Sequence, residues 1–126
     1  MTAKGLLLVS SVVFAVTGVA YLLVPGLALG LVGIESTPAS DFLLRTEGVA
    51  LVFGAVVVWI LRDGGPREHR VVLLALAGYY VGGSIVDLVA FSQAIVGTAA
   101  VPSAVVRIAI GAFCAALAVR GASTIP

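Results

Sequence analysis

Four apolar runs, each long enough to cross a bilayer, take up most of this chain and leave it few folds to choose from. They cover about residues 5–24, 38–61, 71–94 and 101–119. A spanning helix needs ~20 mostly apolar residues, a spanning strand only ~10. Inside hydrocarbon the backbone must satisfy its own N–H and C=O groups, so runs of this length are helices. The expected fold is all-α: a polytopic membrane protein, a four-transmembrane-helix antiparallel bundle forming a single domain over residues 1–126. Composition points the same way, with 61% hydrophobic and 10% charged residues against roughly 25% charged in soluble domains.

Breakers and caps set the boundaries. Pro25-Gly26 stops the first run. Residues 25–36 are apolar but carry Gly26, Gly30 and Gly33. They are too few to span and are expected as a short interfacial segment after helix 1. Thr37-Pro38 reads as a helix start, a hydroxyl N-cap with proline at the first helical position. Arg62 to Arg70 reads as the one hydrophilic loop, and Gly97 as the break after the third run. Lys4 followed by Gly5 to Val16 has the look of a signal peptide, but the apolar stretch continues to Val24, and an uncleaved first helix is expected.

Cations then orient the chain. Lys4, Arg62, Arg67, Arg70 and Arg120 all fall at one set of helix ends, while the opposite loops hold Glu35 and Asp41 and no Lys or Arg. By the positive-inside rule both termini and the 62–70 loop are cytoplasmic.

Several kinds of chemistry lack the residues they need. The net charge of +1 offers no nucleic-acid footprint. The single cysteine, Cys114, allows neither an intrachain disulfide nor a CxxC site, and is expected to pack as a small apolar residue. The single histidine, His69, excludes paired-histidine haem or metal ligation within the membrane and is expected in the hydrophilic loop. No cofactor is expected. Catalysis is disfavoured, because no nucleophile–base pair or metal cluster is visible; only isomerase-type proton transfer between carboxylates stays open.

Against this background four charges stand out within the spans: Arg45, Glu47, Asp87 and Arg107. Charges in hydrocarbon are costly and call for a partner, water or a purpose. A helix rises ~1.5 Å per residue, which places Arg45, Glu47 and Arg107 about 8–14 Å below the outer ends of their helices. The third span runs the opposite way, so Asp87 returns to the same outer half. Two cations and two anions share one layer. Asp87 and Arg107 belong to a tight hairpin and are natural partners. Arg45 and Glu47 point about 200° apart on one helix, so Arg45 is expected to reach back to Asp41 and Glu47 to look toward Arg107. Tyr80, Gly83, Ser84 and Asp87 share one face of span three; Ser103, Arg107, Gly111 and Cys114 share one face of span four. Tyr21 lies at comparable depth. Arg45, Glu47, Asp87 and Arg107 with Tyr80, Tyr21, Ser84 and Ser103 thus form the candidate polar layer.

Other features read as packing. Gly18, Gly48, Gly54, Gly78, Gly82, Gly83 and Gly111 suit close helix approach, and Ala50-x-x-x-Gly54 and Gly78-x-x-x-Gly82 suit either that or an oligomer face. Trp59 reads as an interface anchor. Leu43-Leu44-Arg45 echoes Val105-Val106-Arg107, a faint sign of two-helix duplication.

Leu23-Val24-Pro25-Gly26, followed by Leu44-Arg45-Thr46-Glu47-Gly48 and on to Phe53-Gly54, resembles the small bacterial four-helix DoxX-like integral membrane proteins: proline after helix one, then R-x-x-G-x-x-x-x-x-G in helix two. The resemblance covers about the first half and the topology, and Glu47 departs from it. It implies a four-helix bundle in the bacterial cytoplasmic (inner) membrane, and no common activity. Small multidrug transporters carry a glutamate in the first helix, and Gly5 to Val24 has no acid. Two functional expectations follow. One is a carrier or binder of a small hydrophobic or lipid-like ligand, with membrane lipid or a second copy as partner. The other is a structural subunit of a membrane complex whose ion pairs only fix helix packing.

Overall fold

The computed structural model describes residues 2–122, and among them the chain is all-α. Five helices follow one another: α1 (Ala3–Leu23), α2 (Pro25–Leu31), α3 (Pro38–Leu61), α4 (Pro66–Ser92) and α5 (Ala100–Ala122). All but α2 are long and apolar enough to cross a membrane.

The caps follow the local sequence. Thr2 accepts a hydrogen bond from the Gly5 N–H at 3.2 Å and starts α1. Thr37 starts α3, with Pro38 in the first turn as expected, and Ser40 completes a reciprocal box: Ser40 N–H donates to Thr37 Oγ1, and Thr37 N–H donates to Ser40 Oγ. Serine here fills the place where glutamate or glutamine is the usual partner. Two helices end in the same backbone motif. After α2, Gly33 adopts φ 76° and the Ile34 N–H reaches back to Leu29 O. After α4, Ala94 adopts φ 57° and the Ile95 N–H reaches Ala90 O. Both are Schellman-type ends, which favour glycine at the left-handed position. The chain pays a small strain at Ala94 for ending α4 at Ser92, five residues before Gly97.

One boundary differs from the sequence expectation. The third span begins at Pro66, so Pro66 to Arg70, including His69, form the first turns of α4 rather than a loop. Gly65 caps it, Pro66 occupies the first turn and Glu68 adds an acid there. Those are favourable helix-start residues, because proline loses no needed N–H and an acid suits the positive end of the helix dipole. Among residues 62–70, only 62–65 are non-helical. The segment after helix 1 contains α2, whose Pro25 and Leu29 are buried.

The chain divides into two compact units, Met1–Arg62 and Asp63–Pro126. In the first, α1 packs on α3 with α2 against both; in the second, α4 packs on α5. Each pair is antiparallel. A Cβ added to Gly18 would lie 2.8 Å from Gly48 O, and Ser11, seven residues earlier, donates from its hydroxyl to Ala55 O, seven residues later. In the second pair Ser84 meets Ala104, and a Cβ on Gly111 would lie 3.2 Å from Ala77 O. The same steps of seven therefore recur, two turns apart along each helix.

The burial patterns match closely. The buried positions of α1 are Leu6, Leu7, Ser10, Ser11, Phe14 and Gly18, and those of α4 are Val72, Leu73, Leu76, Ala77, Tyr80 and Ser84, each 66 further on. The buried positions of α3, Gly48, Leu51, Ala55 and Val58, shifted by 56, land on Ala104, Arg107, Gly111 and Cys114. Arg107 is half-buried and the other three are buried. The chain thus builds one packing frame twice. The Leu-Leu-Arg and Val-Val-Arg echo is a shift of 62 and does not follow this frame. In the frame Arg107 stands where Leu51 stands, and Arg45 faces elsewhere.

Candidate functional site

The second helix pair brings several of the candidate polar residues together. Arg107 Nη1 lies 3.1 Å from Asp87 Oδ2, and the two side chains keep 34% and 30% of their surface exposed. The pair that the hairpin topology predicts is therefore present, half-buried rather than sealed. It sits toward the end that carries the 93–99 connection, because Asp87 lies late in α4 and Arg107 early in α5. Gly83, one turn before Asp87, leaves room for the arginine head: a Cβ there would lie 3.2 Å from Arg107 Nη1.

Directly beside this pair the interior is closed. Ser84 is fully buried, with its hydroxyl 2.7 Å from Tyr80 O and 3.1 Å from Ala104 O. Its proton is shared between its own helix and the next, and that use is packing. Tyr80 is 7% exposed and meets Tyr79 edge-on at 5.6 Å between ring centroids. Ser103 is half-buried on α5, one turn before Arg107 and on the same face. Cys114 is fully buried, in the small apolar role expected of it.

In the first pair Arg45 and Glu47 lie on exposed positions of α3, just before Gly48 at its buried crossing with α1. Thr46 between them donates back to Phe42 O at 3.0 Å. Asp41, the expected partner of Arg45, accepts a hydrogen bond from Ser36 at 2.7 Å. Tyr21 is half-buried, and its Cβ would lie 3.1 Å from a Cβ added to Gly48. In the shared frame Tyr21 occupies the place of Asp87, 66 positions on. Where the second pair places a charge, the first places a phenol.

Two features were less legible in the sequence. Ser11 is 4% exposed and bridges to Ala55 O at 2.8 Å, a hydroxyl-to-carbonyl link like that of Ser84 but two turns away in the shared frame, at the place of Ala77 and Gly111. Its spacing from Phe14 and Gly18 on one helical face is the signal that marks it. Arg62 places its guanidinium 3.4 Å from the centroid of the Trp59 ring, so the expected interface tryptophan also holds a cation. A shallow depression of about 390 Å³ on α1 is wholly apolar, lined by Ala15, Val16, Val19 and Ala20. None of the polar-layer side chains lines it. Among the described residues no three His, Cys, Asp or Glu side chains gather in a way that would hold a metal ion.

Fold and site together define the class: a chain, all-helical among the described residues, whose four apolar helices fit a multi-pass membrane protein, with the half-open Asp87–Arg107 ion pair in its second helix hairpin. No protein-family model, curated protein or solved structure matches this chain.

Proposed function

We propose that this chain binds or carries a small hydrophobic or lipid-like ligand through its charged layer in the outer half of the bilayer. Orientation follows the cation distribution, with both termini cytoplasmic, and the resemblance to DoxX-like proteins suggests the bacterial cytoplasmic membrane. Asp87 and Arg107 are the core of the site, with Arg45 and Glu47 as the layer's other charges and Tyr21, Tyr80, Ser84 and Ser103 as its polar surround. The observation that carries the reading is the exposure of the Asp87–Arg107 pair. About a third of each side chain stays open while the serine beside it is sealed. A pair needed only for packing gains by closing completely, because an open charge at membrane depth stays costly.

The test is substitution with folding monitored separately. Asp87→Asn or Glu47→Gln is expected to abolish ligand retention or transport while membrane insertion and helicity stay intact. If both variants lose only stability, the reading fails.

A second reading is structural: an assembly subunit whose charges hold helices together. It is favoured by Ser11 and Ser84, both of which spend buried hydroxyls on the backbone of a neighbouring helix. It expects that exchanging the charges, Asp87→Arg with Arg107→Asp, preserves every measurable property.

A further inference from the structure

Resting on the ligand-binding reading above, we propose that the Asp87–Arg107 pair clamps a lipid headgroup carrying a primary ammonium and a phosphate two carbons apart. The geometry argues for a ligand with both charges. Arg107 Nη1 and Asp87 Oδ2 meet at 3.1 Å. A guanidinium has five N–H donors and a carboxylate two acceptor oxygens with two lone pairs each, so pairing with one another leaves bonding capacity on both. About a third of each side chain is open to receive it. An anion alone would reach Arg107 only by approaching the Asp87 carboxylate, and a cation alone would meet the same obstacle at Arg107. Their attraction and repulsion nearly cancel for a single charge at this spacing. A headgroup with phosphate on one side and ammonium on the other satisfies both members of the pair. Arginine suits the phosphate, since its planar fork matches two phosphate oxygens.

The carboxylate sets the second requirement. Asp87 accepts hydrogen bonds, and a primary ammonium donates them, whereas a trimethylated ammonium has no N–H to give. Gly83 sets the third. Its missing side chain leaves the space in which the arginine head lies, 3.2 Å from where a Cβ would be. Depth agrees with a headgroup. Asp87 precedes the end of α4 at Ser92, and Arg107 follows the start of α5 at Ala100. At ~1.5 Å per residue both lie about 8–10 Å inside those ends. The 27 residues of α4 make a helix about as long as the ~40 Å of a bilayer with its headgroups. The pair therefore lies near the boundary of headgroup and hydrocarbon.

The experiment uses the full chain in nanodiscs of equimolar phosphatidylethanolamine, phosphatidylcholine and phosphatidylglycerol, with retained lipid read by native mass spectrometry after release into detergent. Phosphatidylethanolamine is expected to be retained about tenfold over phosphatidylcholine, the worth of one charge-assisted hydrogen bond. Asp87→Asn, Arg107→Gln and Gly83→Val are each expected to remove that preference. The comparison of lipids on the unaltered chain needs no variant to fold. Equal retention of the three lipids overturns the proposal. A phosphatidylglycerol preference lost in Arg107→Gln overturns the paired-charge headgroup but leaves a ligand site at this pair. Retention unchanged by all three substitutions overturns both. Binding of soluble phosphoethanolamine without phosphatidylethanolamine retention overturns the lipid source.

Discussion

The two helix pairs use one frame for opposite ends. Where α1 crosses α3, two glycines meet backbone to backbone, and a methyl added to either would lie 2.8 Å from the other's carbonyl. At the matching place in the second pair stand Ser84 and Ala104, joined by a hydroxyl-to-carbonyl bond of 3.1 Å. The first pair gains contact by removing side chains. The second keeps them and sets a charge beside the crossing, with Asp87 where Tyr21 would stand and Arg107 where Leu51 would stand. Lipid drives neither pair together, since its tails are as apolar as leucine, so close backbone approach and interhelical polar bonds must do so. The comparison shows these two devices separated within one chain. The pair locked by glycine keeps its charges, Arg45 and Glu47, on exposed positions of α3. The charged pair has an ion pair that its packing does not close.

The first and largest test breaks the glycine crossing. Gly48→Leu is expected to destabilise the α1–α3 pair by about 1–3 kcal/mol or more, the usual cost of overpacking, measured by steric-trap unfolding in bicelles. Ala104→Leu at the matching position removes no backbone-to-backbone contact and should cost less. Equal costs would mean that the two crossings are alike.

A smaller effect comes from the ion pair. A double-mutant cycle with Asp87→Asn and Arg107→Gln should give a coupling of about 1 kcal/mol or less, because the pair is a third exposed and partly screened. A coupling several times larger would show a closed packing bridge and favour the structural reading.

The smallest effect compares the serine bridge of each pair. Ser11→Ala and Ser84→Ala should each cost about 0.6 kcal/mol, the average for interhelical polar bonds in membranes. A large difference between them would mean that the two bridges, which stand at different positions of the shared frame, do different work.

Much of the fold is written plainly in the sequence. Thr37-Pro38 marks the start of α3 at its observed first residue because cap chemistry is local. The run Pro66 to Arg70 misleads because its charges look like loop, although Gly65-Pro66 with Glu68 is a sound helix start. Charge speaks of solvent, whereas the backbone responds to caps and dipole. Within the site, Asp87 and Arg107 are legible because a short connection forces α4 and α5 side by side. The frame shared by the two pairs is not legible in the Arg45 and Arg107 echo, which a repeat of 62 suggests. The true shifts are 66 and 56, and they follow buried faces that many apolar residues satisfy equally. Ser11 is hidden for the same reason: one serine among valines has no charge to advertise it.

The central claim is that the Asp87–Arg107 pair of the second unit is open to a headgroup, whereas the Gly18–Gly48 crossing of the first is closed. Carbon-13 labelling of Arg107 Cζ, with the Gly48 carbonyl labelled as the buried counterpart, allows solid-state NMR to measure dephasing by lipid phosphorus in phosphatidylethanolamine-rich bilayers. An arginine bonded to a headgroup phosphate holds its carbon within about 5 Å of phosphorus. Strong dephasing at Arg107 and none at Gly48 is the predicted result. No dephasing at Arg107, in a chain that is folded and inserted, would contradict the account.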